Sequence, residues 1–384
     1  EQMPIFHASP SNDTAVLVRL LKENPYEWNA QDAGTAARFS AAYLATRVGE
    51  EHVLTATGRM LQRPMKPLLD VLSAMGAEIT YLEKEGFLPV KIKGAVLSGG
   101  RVKLPHDISS QFISALAMVA PYAKQDTVFE FDRTPLSAPY IDMTLKMLGD
   151  VYIHSDRTYA DDSAAQFIAI YKGTPSLPPE YWVEPDWSSA SYWYAAVALS
   201  EKGEIELPGF EETAMQGDDV TASLFESLGV STRYTDEGMV IKKSDRPDAE
   251  HFDYDFSDNP DLVPTFAVVL PLLGIHAKFT GLETLRHKES DRVAALAENL
   301  AALGIESEVS ADGTEIEIFP APKQLPENPA IKCFGDHRMA MAFTPAVLKT
   351  GKIALDTPEV VHKSYPEFWN QVQVTYLSSK LNFD

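Results

Sequence analysis

Lys288 and Arg292 stand four residues apart with Glu289 between them. On a helix that spacing puts both cations on one face. Arg338 directly follows Asp336 and His337, and Lys363 precedes Ser364-Tyr365-Pro366. Arg59 and Arg63 come just before an amphipathic stretch, and Arg38 lies one turn into an apolar one. A cation at a helix N-terminus opposes the helix dipole and costs stability. Such placements make sense where an anion is to be held, and Arg adds a planar fork matched to carboxylate or phosphate. Ser109, Ser110, Ser188 and Ser189 would add hydroxyl donors at helix starts, beside free backbone N–H groups; plain capping is the competing reading. Asp261, Glu289 and Asp336 stand among the cations, where a carboxylate stays ionised and can act as a base. His337 suits either a proton carrier or a structural residue. There is no phosphate loop, dinucleotide glycine fingerprint, zincin helix or Cys/His metal spacing. The residues by themselves point to an enzyme that handles multiply anionic substrates with no cofactor and no metal.

Regular elements must bring these residues together. Five segments rich in small residues begin at Gly34, Ser109, Ser188, Asp261 and Asp336, spaced by 75, 79, 73 and 75 residues. Each is mostly apolar on all sides, which reads as a buried helix. Each is followed by a short strand-like run, such as Val128–Phe131 or Lys278–Thr280. Amphipathic helices alternate with the buried ones. Four are expected to end at glycines in the left-handed conformation: Gly76, Gly149, Gly229 and Gly304. Asp312-Gly313, flanked by Glu308–Ser310 and Glu315–Ile318, reads as a hairpin; Glu237-Gly238 and Glu85-Gly86 are placed similarly.

The repeat is far longer than a solenoid's, so each copy reads as a small βαβ-type layer. Stretches near Thr14–Leu21 and Pro366–Val374 raise the amphipathic helices to six, against five buried ones. The chain opens on Glu1, and the spacing places a sixth buried helix a few dozen residues earlier. The expectation is an α/β protein of two three-unit domains, the N-terminal part of the first unit missing. The Pro-rich run Gly173–Pro179 ends one half, giving domains 1–183 and 184–384, with Trp182–Asp186 as the crossing strand. A ligand site is expected between them.

The chain has 384 residues and a formal net charge of −22. That charge excludes a general nucleic-acid binder, which needs a basic footprint. With 45% hydrophobic and 23% charged residues, the chain can build ordinary cores. A single cysteine, Cys333, excludes a disulfide framework and fits a reducing, cytoplasmic setting. Uncharged runs such as Ser109–Ala123 are too short to span a bilayer, so no membrane partner is expected. A monomer is.

Six motifs in order resemble the 5-enolpyruvylshikimate-3-phosphate synthase family. They are Gly34-Thr35-Ala36-Ala37-Arg38, Arg59-Met60 with Arg63-Pro64, Ser109-Ser110-Gln111-Phe112, Pro139–Leu145, Lys288-Glu289-Ser290-Asp291-Arg292 and Asp336–Met341. The likeness runs from about Gly34 to Lys363. It implies the enolpyruvyl transferase fold, two domains of three βαβαββ units each. It also implies transfer of the enolpyruvyl group of phosphoenolpyruvate to the 5-hydroxyl of shikimate 3-phosphate, with release of phosphate. This reaction belongs to the shikimate pathway to chorismate and the aromatic amino acids, and it is the target of glyphosate. Carried over by motif, Ser109, Ser110, Gln111, Ser137, Tyr140, Asp261, Thr284 and Lys288 would bind shikimate 3-phosphate, on the side of residues 1–183. Gly34, Arg59, Gln111, Arg292, Arg338 and Lys363 would hold phosphoenolpyruvate, on the side of residues 184–384. Asp261 would be the base for the hydroxyl, Glu289 the proton donor and acceptor at the methylene carbon, and Lys363 a further catalytic group. Asp186 matches a hinge-region acid.

The chain departs from the pattern at Asp32, usually Asn, at Phe39, usually Pro, and at Thr284, where an Asn commonly holds the shikimate phosphate. The family's opening Lys-Ser and nearby Arg would belong to the missing segment. A sister carboxyvinyltransferase acting on UDP-N-acetylglucosamine shares the fold, but its usual Cys sits in the first domain, whereas Cys333 is in the second. An inactive anion-binding paralogue would not be expected to keep Asp261, Glu289 and all these cations.

Overall fold

The computed structural model describes residues 3–159, 165–245 and 250–377, and the statements below concern these. The chain forms two compact units, one running to Val183 and one from Glu184 onward, with Ser9–Asn12 grouped with the second.

In the first unit the chain alternates strand and helix: Glu27–Asn29, helix Gly34–Ala45, Glu51–Thr55, helix Lys66–Ala74, then the hairpin strands Glu78–Tyr81 and Val90–Lys93. Glu27–Asn29 pairs parallel with Glu51–Thr55, which pairs antiparallel with Val90–Lys93, and Glu78–Tyr81 takes the far edge. The same order recurs in Gly100–Lys103, Thr127–Phe131, Gln166–Ile170 and Ser155–Tyr159. It recurs again in the second unit, in His251–Asp255, His276–Thr280, Ile316–Ile318 and Ser307–Val309. Two partial versions flank it. One is the three-stranded sheet Glu204–Pro208, Gly238–Lys243, Val230–Thr235; the other is the pair Ala330–Ile331 and Ala354–Leu355.

The buried helices are built from small and apolar side chains because they are packed on every side. In Trp187–Leu199 every residue except Ser189 is buried, and in Val263–Leu272 every residue except Leu272. The amphipathic Lys66–Ala74 instead buries only the stripe Leu68, Leu69 and Leu72. Each unit has its own apolar core: Trp28, Phe129 and Phe131 belong to the first, and Phe225, Phe266 and Phe343 to the second. Among the described residues no helix is long and apolar enough to cross a membrane.

Two local expectations need correction. Gly76, Gly229 and Gly304 do take positive φ at or beyond their helix ends, but Gly149 does not. It lies inside Ala138–Asp150, and the left-handed turn falls to Tyr152 at φ 61°. The predicted strand Trp182–Asp186 shrinks to Tyr181–Trp182, paired parallel with Ile5–Phe6. Pro185 has no N–H to give a ladder, and the Asp186 carboxylate instead caps the next helix, accepting from the N–H groups of Ser188 and Ser189.

Candidate active site

In the second unit five helix or turn boundaries supply one ionic network. Asp261 sits in the short turn Pro260–Leu262 that leads into the buried helix Val263–Leu272. Lys288 closes the turn Glu283–His287, and Arg292 opens the helix Arg292–Ala302, which Asp291 caps. Asp336 caps His337–Phe343 by accepting from the Arg338 N–H, and Lys363 ends the turn Pro358–Lys363. Glu289 lies in the short link between Lys288 and the helix cap Asp291, and the other charged groups of the network sit at or beside a helix or turn boundary.

The distances define a hub. The Arg292 guanidinium, 1% exposed, donates to Asp336 at 2.8 Å, to Asp261 at 2.7 Å and to Glu289 at 2.9 Å. Asp261 also accepts from Lys288 at 3.3 Å and from Arg338 at 2.9 Å. Lys363 Nζ is 3.7 Å from Glu289. The second Arg338 amino group donates to the Tyr192 hydroxyl at 3.2 Å. Three carboxylates face four cations, so the cluster keeps a positive excess in an acidic protein.

Burial shapes the electrostatics. It disfavours the charged form of Asp261, but the charges of Arg338, Lys288 and Arg292 outweigh it and hold that carboxyl far below its ordinary range. Asp336 is likewise opposed by burial and held down by Arg292. Burial lowers Lys288, with Asp261 opposing. Arg292 is raised: burial works against its charge, and Asp336, Glu289 and Asp261 overcome it. Burial pushes His337 down to about 4, so its ring is neutral at physiological pH and it is no ready proton carrier. Burial, then Asp261, pushes Asp218 up to about 6. Among the described residues no group of three or more His, Cys, Asp or Glu is placed to hold a metal.

The first unit holds a second constellation. The Gly34 backbone opens the helix Gly34–Ala45, and a Cβ there would lie 2.6 Å from the Arg38 guanidinium and 2.8 Å from that of Arg63. Glycine is therefore what lets both arginines approach. Arg38 donates to Gln111 Oε1 at 2.5 Å and lies over the Phe112 ring at 5.3 Å, and Gln111 Nε2 donates to Thr35 at 3.1 Å. Arg38 and Arg63 are buried.

The network gathers Asp261, Lys288, Glu289, Arg292, Arg338 and Lys363, six of the sequence candidates. In the first unit Gly34 and Gln111 meet through Arg38. Arg59 is exposed in the turn Gly58–Gln62, and Arg63 lies against Gly34. Ser109 stands at the N-cap of Ser110–Val119 with no side-chain cap bond, so capping does not occupy its hydroxyl. Ser137 occupies the equivalent place before Ala138–Asp150, at φ 55°, and Tyr140 is half-buried in that helix's first turn. Thr284 has a buried Oγ1 with no hydrogen-bond partner among the described residues. The Ser188 and Ser189 hydroxyls are already engaged within the protein: Ser188 donates to the buried Asp218, and Ser189 to Asp186. Sequence reasoning missed Tyr192, whose apolar surroundings read as core, and it undervalued Arg63, visible only as the second Arg of an Arg-x-x-x-Arg pair.

Fold and cluster together define an α/β enzyme class that combines buried acids with anion-binding cations. A family model for EPSP synthase (3-phosphoshikimate 1-carboxyvinyltransferase) matches residues 12–372. A 3-phosphoshikimate 1-carboxyvinyltransferase of Bacteroides fragilis is 40% identical over 371 residues, covering 95% of this chain and 87% of its own. One from Methanoculleus marisnigri is 35% identical, covering 88% and 76%. The solved EPSP synthase of Acinetobacter baumannii superposes with a TM-score of 0.69 at 21% identity, over 91% of this chain and 78% of its own. The chain belongs to the EPSP synthase family, the 3-phosphoshikimate 1-carboxyvinyltransferases of aromatic amino acid biosynthesis.

Proposed function

We propose that this chain transfers the enolpyruvyl group of phosphoenolpyruvate to the 5-hydroxyl of shikimate 3-phosphate, with the roles divided as follows. The observation that carries the reading is that Asp261 and Glu289 share one network with Lys288, Arg292, Arg338 and Lys363. Ser109, Ser110, Gln111, Ser137, Tyr140, Thr284 and Lys288 bind shikimate 3-phosphate. Gly34, Arg59, Gln111, Arg292, Arg338 and Lys363 bind phosphoenolpyruvate, and the buried Arg38 and Arg63 stiffen its Gly34 corner. Residues 1–183 and 184–384 act as two domains, working as a cytoplasmic monomer.

The 5-hydroxyl oxygen bonds to C2 of phosphoenolpyruvate while Asp261 takes its proton. Glu289 delivers a proton to C3, which becomes a methyl group. The C2–O bond to phosphate then breaks, inorganic phosphate leaves with the proton that Asp261 had taken, and Glu289 recovers a proton from the methyl group. Held by three cations, Asp261 is too weak a base for an alcohol. Substrate phosphate and carboxylate compete for Lys288 and Arg338, and losing those contacts raises its basicity where the hydroxyl arrives. Phosphate release measured with each substrate alone and with both tests the reading. Release is expected only with both, and none with both present overturns it.

A further inference from the structure

Tyr192 lies in the second turn of the fully packed helix Trp187–Leu199 and is 2% exposed. A buried hydroxyl without a partner is costly, and this one is met by an Arg338 amino group at 3.2 Å. The other amino group of Arg338 binds Asp261, and the Arg338 backbone N–H binds Asp336. The guanidinium is therefore held at two ends by partners of opposite character. Asp261 is a carboxylate and cancels the charge it holds. Tyr192 is a phenol and does not. Burial pushes its hydroxyl up to about 12, against the pull of Arg338, so it stays neutral at working pH. The ring is fixed in turn by edge contact with Phe368, centroids 6.2 Å apart at 79°.

We propose that Tyr192 is a positioning residue for phosphoenolpyruvate binding, a neutral anchor that keeps the Arg338 fork aimed while its charge passes from Asp261 to the substrate. An acid in its place would fix the fork but neutralise it. A phenylalanine would keep the packing and remove one of the bonds that aim the guanidinium. Positioning of this kind is read in binding of the anion that the fork receives. The inference rests on the assignment of Arg338 to phosphoenolpyruvate.

The test is Tyr192→Phe, alone and combined with Arg338→Lys, which removes the fork that the hydroxyl would hold. Phosphate release gives kcat and both KM values, calorimetry gives the Kd for phosphoenolpyruvate with shikimate 3-phosphate present, and thermal unfolding gives Tm. Expected for Tyr192→Phe is an approximately tenfold rise in KM and Kd for phosphoenolpyruvate. The KM for shikimate 3-phosphate should stay flat, kcat should fall less than threefold, and Tyr192→Phe should have no further effect in the Arg338→Lys background. Unchanged phosphoenolpyruvate binding in Tyr192→Phe overturns the proposal, as does the same loss in the Arg338→Lys background. A lowered Tm with binding intact marks the hydroxyl as merely structural and also overturns it. Failure of the underlying assignment looks different: Arg338→Lys itself then leaves phosphoenolpyruvate binding unchanged.

Discussion

The two units solve the same problem in different ways. Each sets cations near the start of a buried helix, against the helix dipole. In the first unit Arg38 is held by a neutral amide, Gln111, and an aromatic ring, Phe112, and it approaches Gly34 because no Cβ stands there. In the second unit the cations are held by carboxylates, with Arg292 tied to Asp261, Glu289 and Asp336 at once. An amide and a ring position a cation without adding a titratable group, whereas a carboxylate also brings a group that can move protons. The proposed division, binding in the first unit and chemistry in the second, can be attacked experimentally.

Glu289→Gln removes the proposed proton carrier while keeping shape and a hydrogen-bond acceptor. Turnover should fall by roughly 10² to 10⁴-fold, with substrate Kd values little changed by calorimetry. An unimpaired rate would remove the distinction between the two units. Asp336→Ala attacks the carboxylate side structurally, since it leaves a buried guanidinium without its main partner. A loss of about 3–5 kcal/mol is expected in denaturant unfolding, and a loss below about 1 kcal/mol would show that Asp261 and Glu289 alone satisfy Arg292.

Gly34→Ala probes the neutral side. Its Cβ would collide with the Arg38 and Arg63 guanidinium groups, which must shift. A cost of about 0.5–1.5 kcal/mol in stability from displaced rotamers and weaker phosphoenolpyruvate binding are expected, with kcat nearly kept. A fall in kcat with binding intact would place chemistry in the first unit. The smallest effect concerns Asp218, buried and accepting from Ser188 and Asn259. Its folded pKa of about 6 lies above the usual unfolded value of about 4. The folded state thus holds a proton that the unfolded chain has released between about pH 4 and pH 6. The contribution of this group to stability therefore falls as pH rises through that window. Asp218→Asn should flatten that part of the stability profile measured by urea unfolding, and an unaltered slope would contradict the shift.

Much of the fold was legible in the sequence because its signals are local. The five all-apolar stretches became buried helices starting at or within three residues of the expected positions, since small residues with no polar face can only be packed inside. Left-handed glycines marked three of four amphipathic helix ends. Gly149 failed because a glycine tolerates a helix interior as well as an end, and only the surroundings decide which. The motif residues of the second unit also came together as a group, because charges at helix starts need a reason and the reason is shared.

By itself the sequence determined the alternation of buried and amphipathic helices, the family, and the residue types available for anion binding and proton transfer. These follow from periodicity, capping and motif order, all written along the chain. Only the tertiary structure decided which charges touch. Arg63 lies beside Gly34, Ser188 turned inward to Asp218, His337 became neutral, and Tyr192 proved to be a polar partner inside an apolar helix. Such pairings join residues as far apart as Tyr192 and Arg338, and their energies depend on distance and burial, which the order of residues does not contain.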